Sequence, residues 1–157
     1  MDTQFPSSSS FLHTEHIART TEGVEYHPLH PFLPEGCRVL FLGSFPPQRK
    51  RWCMDFFYPN KINDMWRIMG VIFFDNKDQF WNKTENKFIL TDIKLFLDEI
   101  GLALYDTGYK IRRLKDNASD KFLEIIEQAD IKQILIHNPS ITAIITAHRI
   151  NRSAFLV

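Results

Sequence analysis

Hydrophobic positions along this chain fall into short blocks whose period changes between proline- and glycine-rich breaks. Val39-Leu40-Phe41-Leu42 is an unbroken apolar run. With Cys37 before it and Gly43, Pro46 and Pro47 after it, it predicts a buried strand over residues 37–42. Met65, Ile68, Met69 and Ile72 then recur at one-face helical spacing behind Asp64 as a cap, predicting a helix over residues 65–73. Residues 74–87 are polar and aromatic and read as a loop. Ile93, Phe96, Leu97 and Ile100 predict a second helix over residues 91–100, ended by Gly101. Leu102-Ala103-Leu104-Tyr105 reads as a second buried strand ending at Asp106, and residues 108–116 as a basic loop. A helix is expected from Ser119, carrying Phe122, Leu123, Ile125 and Ile126, and a short one over residues 131–136, broken at Asn138-Pro139. Residues 142–146 form the third strand. The alternation predicts an α/β fold: a parallel sheet with helices on both faces.

The ends do not follow this pattern. Residues 1–25 hold a serine run, Ser7 to Ser10, and no apolar period, and are expected to be a disordered lead-in. Residues 26–34 carry too many prolines for a helix and should lie extended against the domain, with His27 and His30 as packing residues. The domain is placed at residues 26–146, with residues 147–157 as an atypical tail. A three-stranded sheet stopping there would keep an open edge, so the pattern reads as a domain lacking its last strand and helix. At 157 residues the chain suits one domain, and its formal net charge of +0 selects no partner, so any attraction to nucleic acid must be local. Cys37 and Cys53 fit neither a metal site nor a disulfide framework and suit a reducing compartment. No apolar stretch reaches the roughly 20 residues of a membrane span, and the start lacks a secretory signal. The expectation is a cytoplasmic monomer with no membrane partner.

Candidate chemistry concentrates between Val39 and Gly70. Ligands of open α/β sheets bind outside the carboxyl ends of strands, which is where Gly43-Ser44-Phe45-Pro46-Pro47 falls. This is no nucleotide P-loop, since the glycine spacing and the lysine-serine pair are missing. Glycine lets backbone approach a planar ligand, and the prolines hold the loop rigid. Arg49, Lys50 and Arg51 follow one strand end, and Lys110, Arg112 and Arg113 another, so both stretches should rim the same face and contact phosphates. Cations beside aromatic rings suggest a nucleic acid whose base leaves its stack. Plainer readings stand beside these: a proline turn, a helix cap or turn at Asn63, a loop-capping Asp106, and solvated charge.

Tyr58-Pro59-Asn60-Lys61-Ile62-Asn63-Asp64-Met65-Trp66, following the Gly-x-x-Pro loop, resembles the uracil-DNA glycosylase superfamily. The closest likeness is to its hypoxanthine-DNA glycosylase-like branch, through Asn63-Asp64-Met65-Trp66-Arg67-Ile68-Met69-Gly70. The resemblance implies a three-layer α/β/α fold and removal of a deaminated base, uracil or hypoxanthine, from DNA by hydrolysis of the N-glycosidic bond. It implies no metal and no cofactor. It assigns the attacking water and the developing cation to Asn63, base stacking to Tyr58, the pocket floor to Gly43, Ser44 and Phe45, and the base edge to Asp106. Phe45 stands where several branches carry an acid or amide that orients water, and nothing after Thr146 resembles the family's second signature loop. The resemblance therefore also implies a C-terminal truncation. It leaves open a non-catalytic nucleic-acid-binding module or an inactive fragment.

Overall fold

A computed structural model describes residues 23–115 and 120–147. The expectations for the lead-in up to residue 22, for a helix start at Ser119 and for the tail from residue 148 lie outside them. The fold is mixed α/β around a three-stranded parallel sheet in which β2 (Val39–Gly43) lies between β5 (Leu102–Asp106) and β8 (Ala143–Thr146). Continuous apolar runs suit strands covered on both faces, and β5 is buried along its whole length. Its outer edge is closed by the proline-rich segment: Phe32 and Leu104 exchange N–H···O=C bonds of 3.0 and 2.9 Å. The extended path expected for that segment is thus present, and it seals the sheet. On the opposite side, all residues of β8 are exposed.

Helix α1 (Met65–Phe74) turns a different face inward from the one its apolar spacing suggests. Trp66 and Gly70 are buried, whereas Ile68 and Ile72 are 51% and 67% exposed. The indole is the largest volume to bury, and its Nε1–H donates to the Phe57 carbonyl at 3.1 Å, which sets the helix rotation. Asp64 makes no side-chain cap; Asn63 Oδ1 instead accepts the Met65 N–H at 2.8 Å. Helix α2 (Leu90–Ile100) buries Ile93, Phe96 and Leu97 as expected and ends at Gly101 in the left-handed conformation, φ 65°. The segment read as a loop contains a small hairpin, β3 (Trp81–Asn82) with β4 (Lys87–Phe88), closed by an edge-to-face contact of Trp81 with Phe88.

A second sheet, antiparallel and in the order β1-β6-β7, departs most from expectation. It consists of β1 (Val24–Tyr26), β6 (Gly108–Arg113) and β7 (Leu123–Gln128). The basic stretch is therefore a strand rather than a loop, and the segment carrying Leu123, Ile125 and Ile126 is a strand after a 3-10 turn rather than a helix. Strand β1 overlaps the predicted lead-in, since Val24 and Glu25 belong to it. Pairing explains this. Arg112 faces Glu124 across the ladder with a 2.7 Å ion pair, and Glu25 beside it binds Arg113. Helix α3 (Ile131–His137), capped by Asp130 through the Gln133 N–H, returns the chain to β8. No helix among the described residues is long and apolar enough to cross a membrane.

Candidate functional site

The parallel register places Gly43 and Asp106, the last residues of β2 and β5, side by side. Two further bonds tie the strand ends together: the Thr107 N–H donates to the Gly43 carbonyl and the Gly108 N–H to the Ser44 carbonyl, each at 2.9 Å. Gly43 is required by crowding rather than by φ. A Cβ there would overlap Asp106 Oδ1 and approach Tyr58 Oη to 2.9 Å. The missing side chain leaves the space into which those two groups project.

Tyr58 and Asn63 reach the same place from a folded segment between β2 and α1. Trp52 and Asn60 form an antiparallel bridge, the Cys53 N–H donates to the Pro59 carbonyl at 2.9 Å, and Tyr58 turns the chain with a φ of 51°. Arg67 Nη1 donates to the Lys61 and Asn63 carbonyls at 2.7 and 3.0 Å, fixing the approach to α1. Trp66 lies edge-on to Tyr58, with centroids 6.2 Å apart. The Asn-Asp-Met-Trp stretch is thus a brace: Trp66 anchors the helix start against the bend at Tyr58, and Asn63 is held by its own cap.

Between these elements is a cleft of about 130 Å³ lined by residues 44–47, residues 58–60, Asn63 and Asp106. Five of the residues singled out in the sequence, Ser44, Phe45, Tyr58, Asn63 and Asp106, therefore share one cavity wall, with Gly43 beneath. Asp106 is the one carboxylate in that lining among the described residues. It is 5% exposed, and its Oδ2 lies 2.8 Å from His27 Nε2. Phe45 is itself buried, edge-on to the His27 ring at 5.3 Å. Burial, and then the neighbouring Asp106 charge, push the Tyr105 phenol above its ordinary range.

The basic residues divide. Arg49, Lys50 and Arg51 form a 3-10 turn directly after the loop; Arg49 covers the Trp52 ring at 4.3 Å and pairs with Asp55, holding that exposed carboxyl below its usual range. On β6, Lys110 lies over Tyr26 and Arg112 pairs with Glu124, both at the surface of the second sheet. Arg113 is not at a rim. Its side chain is 5% exposed, grips Glu25 through Nε and Nη2 at 2.7 and 3.0 Å, and donates from Nη2 to the Pro46 carbonyl at 3.2 Å. It latches the second sheet to the cleft loop.

Sequence reasoning missed two residues. Asn60 lines the cleft and was legible only as a second asparagine one helical turn before Asn63. His27 lies 79 positions from Asp106, and no local spacing announces the pair. Among the described residues no group of three His, Cys, Asp or Glu side chains is placed to hold a metal ion. Comparison with protein-family models, curated proteins and solved structures finds no match for this chain.

Proposed function

We propose that this chain is a DNA glycosylase of the uracil-DNA glycosylase type, hydrolysing the N-glycosidic bond of uracil or hypoxanthine in DNA, with the three-layer architecture of that superfamily. The observation that carries the proposal is the convergence of Tyr58, Asn63 and Asp106 on one cleft at the carboxyl ends of β2 and β5. Its volume of about 130 Å³ is close to that of an engineered cavity, about 150 Å³, that takes up benzene. One six-membered ring suits it, which favours uracil over the bicyclic hypoxanthine. Tyr58 supplies a face for the extruded base, a contact worth about 1–3 kcal/mol against the cost of unstacking. Asp106 accepts from a ring N–H. The lone pair of Asn63 Oδ1 that the Met65 N–H does not use favours positive charge growing on the sugar as the bond breaks, ahead of water addition. Arg49, Lys50, Arg51, Lys110 and Arg112 supply phosphate contacts, while Arg113 keeps its structural post.

A second reading, a module that binds an extruded base without turnover, is favoured by Phe45, which occupies the loop position where a water-orienting group would stand. A gel assay separates the two. Oligonucleotides containing one uracil or one inosine are incubated with the protein and treated with alkali. Strand breaks at the lesion support the enzyme, and a mobility shift without breaks supports the binding module. Neither breaks nor a shift with either oligonucleotide removes both.

A further inference from the structure

His27 has no place in that reading, yet it is buried beside the cleft and contacted at both ring nitrogens. Its side chain has no exposure to solvent. Nδ1 is fixed at residue 29, 2.8 Å from the Leu29 carbonyl and 3.2 Å from the Leu29 N–H. The rings of Tyr105, Phe45 and Phe57 surround it at 4.9, 5.3 and 6.2 Å. The bond made by one ring nitrogen orients the other, so Nε2 is aimed at Asp106 Oδ2.

We propose that His27 is a positioning residue that sets base specificity. In the tautomer in which Nδ1 accepts the Leu29 N–H, Nε2 carries the ring proton and donates it to Asp106 Oδ2, occupying that oxygen and fixing the orientation of the carboxylate. Oδ1, lying over Gly43, is the oxygen left for a ligand. A carboxylate held this way accepts from the ring N–H of uracil or hypoxanthine and confronts the ring-nitrogen lone pair of cytosine or adenine. The cleft then selects lactam bases by charge and hydrogen-bond polarity, in addition to size. This rests on the reading of the cleft as a base pocket.

The test uses the full ¹⁵N-labelled chain with free uracil and free cytosine as probes. The His27 Nε2–H resonance is assigned by its loss in His27→Gln. Uracil is expected to move it, and cytosine at the same concentration to leave it in place. His27→Phe is expected to weaken uracil binding about tenfold or more, the scale of one hydrogen bond to a charged group, and to shrink the uracil-to-cytosine ratio. His27→Gln, whose amide can donate to Oδ2, is expected to restore most of both. Uracil binding with the resonance unmoved, or an unchanged ratio in a folded His27→Phe, overturns the role of His27 and leaves the base pocket standing. A folded wild-type chain that binds neither uracil nor a uracil-containing oligonucleotide overturns the base pocket, and with it this inference.

Discussion

Replacing Gly43 by alanine sets two physical expectations of opposite sign against each other. In an ordinary strand the exchange stabilises by about 0.5–1 kcal/mol, because glycine loses more backbone entropy on folding. Gly43 has no left-handed φ, so its backbone admits alanine without strain. The added methyl, however, would overlap Asp106 Oδ1 and press on Tyr58 Oη at 2.9 Å. Asp106 cannot simply swing aside, because its other oxygen is held at 2.8 Å by a fully buried imidazole. Overpacking of this kind costs about 1–3 kcal/mol, and complete rupture of a buried pair sets an upper bound of about 3–5 kcal/mol. Gly43→Ala should therefore destabilise by about 1–3 kcal/mol. With a urea slope of about 1–3 kcal/mol/M, that moves the unfolding midpoint down by roughly 1 M at unchanged slope. A double-mutant cycle with Asp106→Ala locates the cause: with the carboxylate gone, most of the penalty should vanish, giving a coupling of about 1–3 kcal/mol. A neutral or stabilised Gly43→Ala, or a cycle with no coupling, would refute the crowding argument and the strand-end geometry beneath it.

Trp66→Ala should cost about 3–5 kcal/mol by the same urea measurement, because a side chain with no exposure and its bond to the Phe57 carbonyl are both lost. A loss below 1 kcal/mol would mean that the indole is not the anchor of α1. Arg113→Met should cost about 1–2 kcal/mol, the Glu25 end being partly exposed and so partly screened. It should also speed amide exchange at Gly108 and in the loop before Gln48; unchanged exchange would detach Arg113 from that loop. The Tyr105 phenol titrates above its ordinary value of 10.0 in the folded protein. The folded state then holds that proton more tightly than the unfolded chain. Its contribution is complete below the unfolded value and is lost as pH rises through the folded one. Tyr105→Phe should flatten the alkaline limb of a stability–pH curve, and an identical limb in both proteins would remove Tyr105 as its source.

The parallel sheet is legible in the sequence because its strands are apolar without alternation and are bounded by breakers. Gly43 and Asp106 close β2 and β5 within one residue of where composition puts their ends. The second sheet is not legible for an equally physical reason. Leu123-Glu124-Ile125-Ile126-Glu127-Gln128 is rich in good helix formers, and its strand state is decided by Arg112 and Ile111 across the ladder, outside any local window. Helix α1 shows a related limit. Period alone offers two stripes, one through Ile68 and Ile72 and one through Trp66 and Gly70, and burial goes to the stripe with the indole. Apolar count favours one stripe; volume and the Nε1–H favour the other.

The candidate site shows how far local spacing reaches. Ser44, Tyr58 and Asn63 lie in one stretch whose motif order is readable, and they meet in one cleft. Asn63 answers one of the plainer readings directly: its Oδ1 takes the Met65 N–H as a helix cap while the residue lines the cleft, so the cap limits the rotation of the amide. The partner of Asp106 could not be read in this way. It depends on β1 pairing with β6, which draws the Tyr26-His27 segment alongside Tyr109, where the His27 N–H donates to the Tyr109 carbonyl at 2.8 Å. The sheet that sequence periodicity does not reveal is therefore the one that delivers the imidazole to Asp106. A fold read only as three parallel strands would have both the acid and the cleft but nothing to hold the acid in place.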